Sequence, residues 1–132
     1  MTELNRDVYG IYKSQYPSGV IMMGANSLIG EEVYNLKDEH LGTIREFMFD
    51  MNSGKITYAV MGMAGIYSSN RLFAVPFNAL KHDFKNRTFS LNIEVDGLNA
   101  APSFEKDNWP DLASPTTISE ITAAYGTEPI GM

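Results

Sequence analysis

The chain contains no cysteine, which excludes a disulfide framework, a thiolate nucleophile and a cysteine-ligated metal. That absence suits a reducing compartment. Histidine is scarce as well: only His40 and His82 occur, and no HxH or HExxH spacing joins them into a ligand set. Long apolar runs are also missing. In the opening stretch MTELNRDVYGIYKSQYPSGVIMMG the longest apolar run, Val20 to Met23, follows no basic segment and is far too short for export or spanning. No later run approaches the about 20 apolar residues of a membrane helix. The expectation is a soluble, cytoplasmic protein without membrane insertion.

Positive charge is short at one end. Residues 94–132 hold seven acids against the single base Lys106, whereas residues 1–26 hold two of each sign and residues 27–93 seven of each. The net charge of −6 therefore sits in the last third. Because nucleic-acid affinity comes mainly from basic side chains that release counterions, this balance argues against RNA or DNA as a partner.

What remains is an ordinary globular composition, with 44% hydrophobic and 20% charged residues in 132 positions. A chain of this length supports one core. Gly10, Pro17, Ser18 and Gly19 break the first stretch, so residues 1–25 read as a flexible N-terminal arm. From Ser27 onward, short apolar runs alternate with turn residues, the pattern of an all-β domain over residues 26–96. Strands are expected near Leu28 to Tyr34, Thr43 to Met51, Lys55 to Met63, Arg71 to Phe77 and Thr88 to Ile93. Asp50-Met51-Asn52-Ser53-Gly54 reads as a tight hairpin, with Asn52 and Gly54 able to take positive φ.

The strands carry finer information. Phe89, Leu91 and Ile93 share one face and Thr88, Ser90 and Asn92 the other, which is the alternation of a half-buried strand. Ile44 has the opposite parity to Phe47 and Phe49, so a bulge near Arg45-Glu46 is needed to bring them to one side. Ile56 to Met61 is apolar on both parities, as a strand covered on two faces would be. Pro76 cannot donate to a ladder, so its strand must finish, bulge or lie at an edge there. Residues 97–132 form an acidic C-terminal tail with a short helix from about Thr117 to Tyr125, capped by Ser114 or Thr116 and ended by Gly126. That helix is too short to stand alone, so it needs the barrel or a partner to pack on.

Four segments taken together resemble the PRC-barrel family: Ser27-Leu28-Ile29-Gly30-Glu31-Glu32-Val33-Tyr34, Leu41-Gly42-Thr43-Ile44 leading to Phe49-Asp50, Gly54 to Met61, and Phe73-Ala74-Val75-Pro76-Phe77-Asn78-Ala79-Leu80. Ala101-Pro102-Ser103-Phe104 and Trp109-Pro110-Asp111 look like the tail of small stand-alone bacterial members, which extends the resemblance over residues 26–126. The family includes the cytoplasmic domain of the photosynthetic reaction-centre H subunit and the C-terminal domain of a ribosome-maturation factor. The resemblance implies a small bulged β-barrel and an assembly role, with no catalytic residues, cofactor or metal to carry over. The chain shows neither the membrane helix of the H subunit nor the N-terminal domain of the maturation factor, so neither specific task transfers.

Most single residues of possible chemical interest fit ordinary structural roles. His40 beside Asp38-Glu39 and His82 beside Asp83 read as surface histidines. Glu31 and Glu32 are neighbours that point to opposite faces of a strand, so they cannot act as an acid/base pair and read as solvated. Gly62-Met63-Ala64-Gly65 has no Lys-Ser/Thr after it and reads as a wide strand-to-strand turn rather than a phosphate loop. Asn86-Arg87-Thr88 is a chance match to a glycosylation sequon. Of the eight methionines, most fall in strands and read as core rather than as an adaptable surface.

Candidate interaction residues are Ile66, Tyr67, Phe73 and Trp109. The loop through Ile66-Tyr67-Ser68-Ser69-Asn70 sets apolar groups where solvent is expected. Trp109, between Asp107 and Asp111, either clamps the tail onto the barrel or anchors a partner. The leading expectation is a non-enzymatic module that binds a protein partner of unknown identity, with self-association as a homodimer plausible because exposed sheet edges pair. The alternatives are an RNA-processing or ribosome-assembly adaptor and a barrel that binds a small ligand or metal.

Overall fold

Residues 5–6, 11–13, 21–64 and 70–128 are described by the computed structural model. Near the N-terminus, β1 (Asn5–Arg6), β2 (Ile11–Lys13) and β3 (Ile21–Met23) pair antiparallel in that order. Strands of two or three residues are too short to show a period, so the residue pattern does not announce them. A one-turn helix, α1 (Ala25–Leu28), leads into the main sheet.

The main sheet has seven strands: β4 (Glu32–Tyr34), β5 (His40–Asp50), β6 (Lys55–Met63), β7 (Arg71–Pro76), β8 (Leu80–Asp83), β9 (Thr88–Leu91) and β10 (Phe104–Glu105). Their spatial order is β10-β7-β6-β5-β4-β9-β8. Neighbours run antiparallel except β4 and β9, which are parallel. The sheet is strand-rich and barrel-like but not closed, leaving β10 and β8 as edges.

Bulges set what each strand buries. Between the pairs Ile44↔Met61 and Glu46↔Val60 the residue Arg45 is extra, and the slip brings Ile44 and Phe47 into the core despite their opposite parity. A second shift lies between Met48↔Tyr58 and Phe49↔Ile56, with Thr57 extra on β6. Its hydroxyl donates to the Met48 carbonyl at 2.9 Å, so this buried polar side chain is satisfied. Past that shift Phe49 faces out, a departure from the expected shared burial of Phe47 and Phe49. β6 is buried continuously from Thr57 to Gly62, as a strand covered on both faces must be. β7 ends at Pro76, one of the positions open to a residue that has no N–H to donate.

Turn chemistry follows the sequence closely. In the β5–β6 hairpin, Asp50 Oδ1 accepts the Asn52 N–H at 2.9 Å and Oδ2 accepts the Ser53 hydroxyl at 3.0 Å, while Gly54 takes φ +77°. These bonds, the Asn52 N–H first, hold the Asp50 carboxyl below the ordinary carboxylate range. In the β8–β9 turn, the backbone N–H of Asn86 acts in the same way on Asp83, with further help from the Asn86 amide.

The C-terminal segment is part of the core. α2 (Val95–Ala100) buries Leu98, and α3 (Pro115–Tyr125) lies against β7 and buries Ile121, Thr122 and Tyr125. Ser114 at the N-cap, Pro115 in the first turn and Gly126 at φ +65° bound α3. Arg71 fastens the segment to β7: its guanidinium donates to the Asn99 carbonyl at 2.7 Å and to Ser103 Oγ at 2.9 Å. Leu98, Ala101, Ile121 and Tyr125 join Val33, Ile44, Met61 and Phe73 in one apolar cluster.

Candidate functional site

Each histidine meets one of the two adjacent glutamates. Glu31 precedes β4 and Glu32 begins it, so their side chains leave the backbone on opposite sides. Glu32 contacts His40 Nε2, accepts the Thr43 hydroxyl at 3.2 Å, and is half exposed. Glu31 is different. It is 8% exposed, with Oε1 at 2.7 Å from His82 Nε2 and Oε2 at 3.7 Å from the Arg87 guanidinium. The reading of Glu31 as solvated and His82 as a surface histidine is therefore corrected. Burial of an ionised carboxylate demands partners, and the β8–β9 hairpin supplies two. The His82 ring also packs edge-on against Phe89, with centroids 4.7 Å apart. This cluster ties an edge hairpin to the rest of the sheet. Among the described residues no three His, Cys, Asp or Glu side chains are grouped to hold a metal.

A shallow groove lies where the C-terminal segment crosses the sheet, lined by Arg45, Glu46, Val60, Leu72, Lys106 and Trp109. The bulge places Arg45 there, and its guanidinium lies over Gly62, where an added Cβ would come within 2.7 Å of Arg45 Nε. Val60 and Leu72 are buried and form an apolar floor. Opposite them, Trp109 Nε1 donates to the Lys106 carbonyl at 2.8 Å and the indole leans on Phe104, with ring centroids 4.9 Å apart. Trp109 remains 36% exposed. Its N–H and one edge thus serve the tail, while part of the ring lines the groove.

The other candidate residues separate. Phe73 is 0% exposed and belongs to the core, so it presents nothing to a partner. Ile66 and Tyr67 lie outside the described residues. Met61 is core, as its strand position implies, but Met51 at the β5–β6 hairpin tip is 87% exposed and Met22 is also exposed. Arg45 and Lys106, which sequence reasoning missed, have no contact signal of their own. The one available clue was the bulge, which redirects the Arg45 side chain.

The geometry defines a small, bulged, barrel-like β domain with a surface groove. In a comparison with known families, residues 21–96 match the PRC-barrel domain, more than half of the chain, and the protein belongs to that family. Residues 97–132 lie beyond the match. No curated protein matches the chain. PRC-barrel domains are in general non-catalytic modules. Among the described residues no helix is long and apolar enough to cross a membrane.

Proposed function

We propose that this chain is a non-enzymatic, cytoplasmic interaction module that works by holding a protein partner and that pairs with a second copy of itself. Family membership over residues 21–96 carries the reading, because PRC-barrel domains suggest interaction or assembly rather than turnover. Two features of the surface support it. Leu36, Phe49, Met51 and Phe84 are large apolar side chains left exposed at turns and strand ends. The edge strand β8 pairs with β9 on one side only, so its outer backbone groups suit strand-to-strand pairing.

Light scattering on the purified chain across a wide concentration range tests self-association. A species of twice 14.7 kDa is expected, and the monomer mass at every concentration would reject the dimer. Crosslinking within the source cell tests for a different partner.

A further inference from the structure

The geometry points to the groove between Arg45 and Trp109 as a docking site for an extended peptide in which isolated carboxylates alternate with apolar side chains. This inference rests on the interaction reading above and names the site and the chemistry of the partner.

Two cations face the groove without an acidic partner. Among the described residues, neither Arg45 nor Lys106 forms an ion pair, whereas Lys37 and Arg87 both do. The groove lining thus sets two cations against the one acid Glu46, in a chain whose net charge is −6. The Arg45 side chain is also given room: its strand bulges at that residue, and the position it crosses is Gly62. The same groove is lined by the apolar floor of Val60 and Leu72 and the exposed part of the Trp109 ring. A carboxylate bound to Arg45 or Lys106 gains charge-assisted hydrogen bonds, while its apolar neighbour covers the floor and the indole.

Charge and shape narrow the occupant. Glu46 lines the same groove and repels an unbroken run of acids, which favours single carboxylates spaced by apolar residues. Arg45, Glu46, Lys106 and Trp109 are exposed, so the groove opens to solvent. Small ligands are usually enclosed on most sides, so an open groove suits a chain segment better. Two cations beside Glu46 are too few to hold the continuous phosphate charge of a nucleic-acid strand.

Trp109 is the only tryptophan in the chain, so selective excitation of indole fluorescence reports this groove alone. The test titrates the full chain with a terminally blocked peptide of alternating Asp and Leu, beside the same peptide with Lys in place of Asp. A saturable shift in Trp109 emission is expected with the acidic peptide only. The overall charge opposes this result, so it must come from local contacts. Lys106→Gln should weaken binding about tenfold, the loss of one hydrogen bond between charged groups. Lys85→Gln, on the remote β8–β9 turn, should leave it unchanged. The Lys106 side chain is exposed, and it is the backbone carbonyl of this residue that accepts the Trp109 N–H, so this variant keeps the fold. A flat titration, an equal response to the Lys peptide or to acetate, or unchanged affinity in an Arg45→Gln/Lys106→Gln double variant would overturn the site. The two failures remain distinguishable, since the titration probes the groove and crosslinking in the cell probes the interaction reading.

Discussion

Glu31 is a carboxylate almost wholly removed from water, and its stability rests on His82 at 2.7 Å and Arg87 at 3.7 Å. Truncating one partner leaves buried charge poorly compensated, so His82→Ala should cost about 2–3 kcal/mol, somewhat below a fully buried pair because His82 keeps some solvent access. Urea unfolding measures this, and Glu31→Gln in the same background should recover part of the loss; full additivity of the two changes would contradict the pairing. Gly42 gives a second test. A Cβ there would lie 2.2 Å from the Gly62 carbonyl oxygen and 2.7 Å from Met61 Cγ, whereas the nearest atoms to one at Gly62 belong to the movable Arg45 side chain. Gly42→Ala should therefore destabilise by about 3 kcal/mol and Gly62→Ala by about 1, with equal costs arguing against this strand packing. At this scale legibility was uneven. The Arg45 bulge was readable because Ile44 and Phe47 conflict in parity. The Glu31 cluster was not, since its partner His82 is 51 positions away and adjacent glutamates announce only which faces they take.

Among the elements, the C-terminal helix does more than its length suggests. α3 contributes Ile121 and Tyr125 to the central cluster, and α2 contributes Leu98. Removing the chain after Asp96 should uncover that face, and the shortened protein should bind a hydrophobic dye and lose its cooperative thermal transition. A sharp transition retained near that of the whole chain would show the strands to be self-sufficient. Tyr125 supplies a pH test. Burial pushes its hydroxyl well above the ordinary tyrosine range, and among the described residues the oxygen has no hydrogen-bond partner. Its folded pKa is raised, so the contribution is fully present below about pH 10 and is lost as pH rises beyond it, because the unfolded chain ionises first. Tyr125→Phe should be as stable as the parent at neutral pH and should lose less on the alkaline side. An identical alkaline decline in both proteins would contradict the burial of this group. Helix α3 was legible from Ser114 and Gly126, although it begins at Pro115 rather than near Thr117. Strand β8, Leu80-Lys81-His82-Asp83, was not: one apolar residue followed by three polar ones shows no strand period, and only pairing with β9 makes it a strand. Helix α2 was hidden likewise by its six residues and the central Gly97.

For the whole molecule, the PRC-barrel fold was readable because its segments keep order and spacing, and β6 is buried on both faces as its composition implied. Openness of the sheet was not readable, since closure depends on how the edges β8 and β10 approach in space. The partner is equally beyond local sequence, because a docking groove such as that of Arg45, Lys106 and Trp109 joins residues from separate parts of the chain. The acidic excess in residues 94–132 is legible and bears on the choice of partner. The most direct measurement of the central claim is the mass of the crosslinked chain recovered from its own cell at native abundance. A discrete complex of fixed mass above 14.7 kDa, formed with a second copy or another protein, is the predicted result; recovery of the chain only at its monomer mass would contradict it.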